Sequence, residues 1–480
     1  MNTNDMPFWA LEHEAERVAI LDDCGRRETY GSLAVLADRA AERLPSGPGR
    51  RLGFLLIANQ IDAVALYLGA LRSGAHVPLL LDSDLHPDLL AQLAATYRPD
   101  WIALKKGAEF PGPYDRLFGS EEIDVFVSRD DDTGDHGALH PDLGLLLSTS
   151  GSTGSPKLVK LSYRALAANA VSIVEYLDLG PEDRAIAILP LAYSFGMSIL
   201  NTHLHAGGSY LMTDFSVLSR DFWTLAANSD ITSLSGVPTT FEMFRRAGLE
   251  KRGLSRLRTL TQAGGKLRDE LIREFEQMAQ RCGWRFFVMY GQTEAAPRIS
   301  YVPAEHLAGK IGSIGIPVPG GDLETDPETG ELIYRGDNVM MGYASTREEL
   351  AEGDVCDRLL RTGDIGYRDA EGFFYITGRL KRFIKLSGLR TNLDEIERFL
   401  AVRLNVPVAC IGEDEALNVV VADARGPSDK ELGALLREVF AVPPGVTTVH
   451  RREALPLLAN GKLDYGALRV SILDNKGPSS

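Results

Sequence analysis

Residues 148–157 read Ser-Thr-Ser-Gly-Ser-Thr-Gly-Ser-Pro-Lys, and these residue types suit one task, the wrapping of a polyphosphate. Gly151 and Gly154 let the backbone approach a ligand and point several N–H groups at one anion. The Ser and Thr hydroxyls add donors, and Lys157 adds a charge. The order is not that of the P-loop, because Lys157 follows Pro156 and is followed by Leu158 rather than by Ser or Thr. A flexible Ser/Gly turn is the plain alternative, and a lysine at this spacing argues against it. Other candidates are weaker alone. Tyr290-Gly291-Gln292-Thr293-Glu294 has the form of a strand end followed by a Thr cap. His203 and His205 could form a metal-binding pair on a strand, but no third residue follows at ligand spacing, so packing is the better reading.

A phosphate loop needs a strand to present it, and the apolar run 143–147 supplies one. Upstream, apolar residues recur at helical spacing over 32–44 and 63–72, and short apolar runs at 51–58 and 76–81 read as buried strands. That alternation predicts parallel sheets covered by helices. Residues 128–140 are polar and aperiodic and read as a loop, while Gly and Pro between short apolar runs over 312–343 predict hairpins or a small β-rich subdomain. Then come 393–404, strand-like segments at 407–412 and 417–422, and a helix near 430–440. The expected fold class is α/β. A large N-terminal domain (1–378) of parallel-rich sheets flanked by helices, with a small β subdomain, precedes a small mobile α+β C-terminal domain (379–480).

The bulk composition bounds the function. A chain of 480 residues exceeds a single core, so two or more domains are expected. A formal charge of −15 argues against a nucleic-acid surface and against docking on anionic lipid. It does not exclude ATP, which needs only a local cluster of donors. Cys24, Cys282, Cys356 and Cys410 form no CxxC pair, which fits a reducing cytoplasm. There is no basic segment followed by an apolar run at the N-terminus, and no run of about 18 apolar residues, so neither a signal peptide nor membrane insertion is expected.

The segment Thr149-Ser150-Gly151-Ser152-Thr153-Gly154-Ser155-Pro156-Lys157 resembles the phosphate-loop signature of the adenylate-forming (AMP-binding) superfamily. That superfamily holds acyl-CoA synthetases, adenylation domains of non-ribosomal peptide synthetases and beetle luciferases. Further motifs follow in the family's order. Tyr290-Gly291-Gln292-Thr293-Glu294 resembles its second core motif, which implies Tyr290 beside adenine, Thr293 at the α-phosphate and Glu294 as a Mg²⁺ ligand. An acidic group beside a triphosphate is repulsive unless a metal bridges them. Ala263-Gly264-Gly265 resembles the small-residue segment against adenine, and Asp364 of Arg361-Thr362-Gly363-Asp364 resembles the acceptor of the ribose hydroxyls. The stretch 378–385 resembles the interdomain hinge, which implies Arg379 near ribose, Lys381 at the pivot and Lys385 acting in the second half-reaction. Lys462, after Asn460-Gly461, resembles the catalytic lysine that contacts both the carboxylate and the α-phosphate.

The resemblance implies ATP-dependent activation of a small-molecule carboxylic acid as an acyl-adenylate. Transfer to the thiol of coenzyme A, or of a phosphopantetheine on a separate carrier protein, would follow. An amide-forming ligase and a non-catalytic nucleotide- or acyl-binding member are the alternatives. Retention of Lys157, Glu294, Asp364, Arg379 and Lys462 together argues against the last. Tyr193, Phe195 and Gly196 are expected to line the acid pocket or to pack in the core, and Val237-Pro238 resembles a pocket-lining segment. Peptide-synthetase domains carry an Asp near this region to pair with an α-ammonium; the nearest here is Asp214, well downstream, which disfavours an α-amino acid. Tyr163 and Leu158 stand where many members have His and Gly, and Tyr163 keeps a hydroxyl that could donate near phosphate.

Overall fold

The apolar run after Arg51 becomes a strand because its partners are equally apolar. In the computed structural model Arg51–Ile57 lies between His76–Asp82 and Trp101–Lys105, parallel to both, and is buried from Leu52 onward. The structure describes residues 6–110, 112–129, 138–148, 157–386, 389–413, 415–422, 427–440, 442–458 and 462–473. The helix Tyr30–Glu42 opens with a capping box between Thr29 and Ser32. It meets the buried helix Ile61–Ser73 at Gly69, where an added Cβ would stand 2.1 Å from the Ala37 carbonyl oxygen. Only glycine permits that approach.

Two compact units result. The first comprises most of the chain up to Leu323 together with Tyr334–Leu360. It holds an eight-stranded sheet in the order Gly342–Ala344, Leu158–Ser162, Leu143–Ser148, His76–Asp82, Arg51–Ile57, Trp101–Lys105, Ile123–Ser128, Tyr114–Gly119. Its middle is parallel and its edges are antiparallel. A nine-stranded sheet follows the order Ile316–Pro317, Ser300–Val302, Arg285–Tyr290, Thr259–Gln262, Ser233–Gly236, Arg184–Ile186, Ser209–Met212, Val18–Asp22, Arg27–Thr29. It is parallel from Arg285–Tyr290 through Val18–Asp22.

The second unit comprises Glu324–Ile333 and Arg361 onward. Leu359–Arg368 and Phe374–Arg379 pair antiparallel in a four-stranded sheet. A hairpin follows, made by Phe383–Leu386 and Leu389–Asn392. Beyond it the three strands Val408–Glu413, Ala416–Val421 and Thr447–Arg451 form a sheet. Ile396, Leu400, Val419, Leu432 and Leu436 are among the buried residues of that part's core. Among the described residues, no helix is long and apolar enough to cross a membrane.

Three local readings are corrected. The stretch 312–343 yields the expected paired strands, Asp322–Thr325 beside Glu331–Arg335, but its other strands join two further sheets, which local periodicity does not specify. His203 and His205 lie on the buried helix Ser194–His205, not on a strand. Among the described residues no three or more His, Cys, Asp and Glu side chains gather as a metal-binding group. Tyr163 starts the helix Tyr163–Leu177, beside the Leu143↔Ser162 pair, whereas the phosphate-loop segment leaves from the Ser148↔Leu158 pair. The strand puts these ends on the order of 15 Å apart. The Tyr163 hydroxyl accepts from Arg50 at 3.1 Å.

Candidate active site

In an open α/β sheet, ligands bind at the carboxyl ends of the parallel strands. The nine-stranded sheet sends three sequence-selected segments out of such ends. Val237 and Pro238 follow Ser233–Gly236, Ala263 to Gly265 follow Thr259–Gln262, and Gly291 follows Arg285–Tyr290. The three strands are parallel neighbours in register, Gly236 opposite Gln262 and Gln262 opposite Val288.

The turns are shaped for close approach. The Gln262 amide donates to the carbonyls of Ala263 (3.1 Å) and Gly265 (2.9 Å), folding the chain back at Gly264, whose φ is +80°. A Cβ on Gly264 would lie 2.5 Å from the Tyr193 hydroxyl and 2.9 Å from Val237 Cγ1, and one on Gly265 would lie 3.2 Å from Pro238 Cγ. Tyr193, Val237, Pro238, Gly264 and Gly265 therefore converge on one place. Burial pushes the Tyr193 phenol up from its ordinary pKa, which keeps it a hydrogen-bond donor. Gly196 lets the helix Ser194–His205 start against Pro190, whose carbonyl oxygen would be 2.2 Å from an added Cβ. Phe195 is buried, with its ring 6.4 Å from that of Tyr193.

Gly291 opens the turn to Thr293 and Glu294, and a side chain there would strike the Pro297 carbonyl. The Thr293 hydroxyl sits 3.2 Å from the Ser194 hydroxyl, which ties the turn to the helix that carries Phe195. The Glu294 carbonyl accepts from the Met340 N–H at 2.9 Å, and its carboxylate accepts from the Tyr343 hydroxyl at 2.6 Å. Burial and the adjoining carboxylate push the Tyr343 phenol up.

Tyr343 stands opposite Val159 in the sheet, so Glu294 is tethered at the strand that begins one residue after the exposed Lys157. Lys160, further along this strand, is fully buried, and its ammonium donates to the carbonyls of Glu349 (2.9 Å) and Glu352 (3.1 Å). Thr149, Ser150, Gly151, Ser152, Thr153 and Gly154 lie outside the described residues. Their flanks, Ser148 and Leu158, are direct antiparallel partners.

A Mg²⁺ ion fits the donors present at Glu294. Its carboxylate is half-buried, receives one neutral hydroxyl, and is paired with no Lys or Arg among the described residues. A hard cation takes one or two carboxylates and fills its remaining positions with phosphate oxygens and water.

The second unit carries the remaining sequence candidates. Asp364 and Arg379 are cross-strand partners, joined at 3.0 Å from Arg379 Nε to the carboxylate. Asp364 is 5% exposed. The turn before it is held by the Gly363 N–H donating to Glu331 and by the Thr362 hydroxyl donating to the Leu332 carbonyl. Lys381 lies in the short turn Leu380–Arg382, and Lys385 in the strand Phe383–Leu386. Lys462 is exposed and closes a tight reversal in which the Leu458 N–H donates to its carbonyl at 2.8 Å. Ala459, Asn460 and Gly461 lie outside the described residues.

Sequence reading missed Tyr343, Ser194 and Arg298. The first two act through contacts made only by sheet pairing and helix placement. Arg298 left a signal, a charged residue inside the run Ala295-Ala296-Pro297-Arg298-Ile299.

Residues 8–344 match the family model described as AMP-binding enzyme. The chain is 32% identical to a feruloyl-CoA synthase of an Amycolatopsis species over 351 residues, 68% of this chain and 70% of that protein. It is 32% identical over 436 residues to an indoleacetate–CoA ligase of Aromatoleum aromaticum, covering 82% of each. An o-succinylbenzoate CoA synthetase from Bacillus subtilis, solved in complex with its acyl-adenylate intermediate, shares the fold with a TM-score of 0.75 at 21% identity over 99% of both chains.

Proposed function

The chain belongs to the AMP-binding enzyme family, and on that premise we propose that it activates a carboxylic acid with ATP and passes the acyl group to a thiol. The observation that carries this is the convergence of Thr293 and Glu294 at the mouth formed by Tyr193, Val237 and Gly264, beside the strand that leaves Lys157. In the first step a carboxylate oxygen attacks the α-phosphorus of ATP and the bond to pyrophosphate breaks. In the second, a thiol sulfur attacks the acyl carbonyl and AMP leaves.

Such chemistry rests on positioning and charge stabilisation. Residues 149–154 with Lys157 hold the leaving pyrophosphate, and Thr293 orients the α-phosphate. Glu294 would hold Mg²⁺, which supplies charge neutralisation on the phosphates when bound. Ala263, Gly264, Gly265, Tyr290 and Gly291 form the adenine slot, Asp364 takes the ribose hydroxyls, and Arg379 sets that carboxylate. Residues 1–378 act as the binding domain, and 379–480 deliver Lys462 to the carboxylate and α-phosphate. Rotation at Lys381 then presents Lys385 for thiolation, a hinge motion of known type.

Coenzyme A is the acceptor that the relatives' names favour; a carrier-bound phosphopantetheine offers the same thiol. The four unpaired cysteines suit a reducing cytoplasm. Replacement Lys462→Ala is expected to abolish acid-dependent ATP–pyrophosphate exchange while nucleotide binding, followed by calorimetry, persists. Undiminished exchange would refute the assignment of Lys462.

A further inference from the structure

Arg298 is 2% exposed. Its Cζ lies 4.7 Å above the Phe195 ring centroid, and Nη2 donates to the Ser198 hydroxyl at 3.3 Å. The Tyr176 hydroxyl is its other polar neighbour. Nε is buried with no partner, and among the described residues no carboxylate lies within ion-pair distance of the guanidinium. A buried cation faced only by neutral groups is costly, and the cost is relieved where a counter-charge arrives from outside.

The guanidinium borders a cavity between the helices Tyr163–Leu177 and Ser194–His205 and the sheet strands that end at the candidate site. Its wall is mostly apolar, with Ile173, Leu177, Ile199 and Met289 beside Phe195; Ser198, Ser233, Ser235 and Thr261 also border it, and no Asp or Glu does. His203 adds no charge. Its Nδ1 donates to the Ile199 carbonyl at 2.8 Å, so Nε2 accepts from Ser233 at 3.0 Å, and burial holds its pKa down. The Thr261 hydroxyl donates to Ser235 at 2.7 Å, which leaves the Ser235 proton available. Arg298 is thus the one cation bordering this largely apolar recess among the described residues. The recess offers about 20 Å³, where one water needs on the order of 10–15 Å³. That admits a small group and not an aromatic ring, and Arg298 supplies its charged edge. Phe195 stands between this recess and the mouth, since it lines the recess, packs near Tyr193 and follows Ser194, which touches Thr293.

We propose that the acid activated by this enzyme carries a second carboxylate at the far end of a short chain, and that Arg298 holds it. This rests on the acid-activation reading above and names its substrate class. Arginine presents a fork that matches a carboxylate in two hydrogen bonds. The free Nε, with Nη2, supplies the donors.

The test is ATP–pyrophosphate exchange with the full chain and a panel of short acids in matched pairs, each monocarboxylate against the dicarboxylate of the same length. The wild type is expected to favour dicarboxylates by at least about 100-fold in kcat/KM, because a site built to bind a polar group rejects the analogue lacking it. Arg298→Met is expected to reverse the order through KM, and Arg298→Lys to restore it in part. Thermal unfolding without ATP provides a second reading: a dicarboxylate should raise the wild-type Tm and leave that of Arg298→Met unmoved. A wild-type preference for monocarboxylates overturns the proposal while leaving acid activation standing. So does a dicarboxylate preference that survives Arg298→Met. Absence of exchange with every acid refutes acid activation itself, and the proposal with it.

Discussion

Replacing Tyr343 with Phe removes one hydroxyl and isolates its effect on the carboxylate assigned to the metal. The bond to Glu294 is short for an O–H donor, 2.6 Å, and its acceptor is charged. Hydrogen bonds to charged groups contribute about 1.5–3 kcal/mol. Tyr343 is 42% exposed, so solvent competes and the lower end applies. About 1.5 kcal/mol corresponds to roughly tenfold. The backbone should not shift, because the Glu294 carbonyl stays bonded to the Met340 N–H. Only the carboxylate gains freedom. Partners that orient metal-binding carboxylates cost about 10–100-fold in metal affinity or activity when removed, which agrees with the hydrogen-bond figure at its low end. The assay is pyrophosphate exchange titrated with Mg²⁺ at saturating acid and ATP. Tyr343→Phe should raise the Mg²⁺ concentration for half-maximal rate about tenfold and leave the KM for the acid in place. An unchanged Mg²⁺ dependence, or a loss that falls equally on the acid, would refute the argument.

His76 sets an acid limit on stability. Its Nδ1 accepts from the Trp101 indole N–H at 3.2 Å, and an indole only donates, so the folded ring is neutral; burial pushes its pKa down from 6.5 to about 4. Between those values the unfolded chain binds a proton that the folded chain does not, so stability falls as pH drops through that window, by roughly 3 kcal/mol in full. His76→Gln should therefore flatten the fall of Tm between pH 6.5 and 4, and an identical pH profile would contradict this. Arg382 braces the second unit: it donates to Asp394 at 2.6 Å, Glu397 at 2.7 Å and the Cys410 carbonyl at 2.6 Å, and lies over the Tyr465 ring. Arg382→Met leaves two carboxylates unpaired, at a cost of about 3–5 kcal/mol. Limited proteolysis should then cut residues beyond 380 first, and unchanged resistance would count against the role.

Elements set by local periodicity were legible in the sequence. The run 51–58 became the strand Arg51–Ile57, and the helical spacing of 32–44 became Tyr30–Glu42. Motif residues were legible as types, since glycines and a carboxylate announce themselves. Partners set by pairing were not. Tyr343 reaches Glu294, 49 residues away, only because Gly342–Ala344 docks along Leu158–Ser162. Nothing near Tyr343 encodes that choice of edge. His203 misled because NTHLHAGG alternates like a strand, while its burial on both sides suits a core helix. Tyr163 misled because closeness in sequence was read as closeness in space, and the strand Leu158–Ser162 lies between Tyr163 and Lys157.

The hydroxyls behind the pocket mouth sit in register, Ser233 opposite Thr259 and Ser235 opposite Thr261, on adjacent parallel strands. Their spacing by two puts all four on one face of the sheet. The back wall is therefore a tile of four positions, each with its own side-chain partner, on a backbone whose hydrogen bonds do not depend on them. Polarity can be redesigned there one square at a time, with alanine, valine or asparagine, while the turns that handle nucleotide stay as they are. A small combinatorial library over these squares, with Arg298 fixed or freed, would turn the choice of acid into a tunable property of the scaffold.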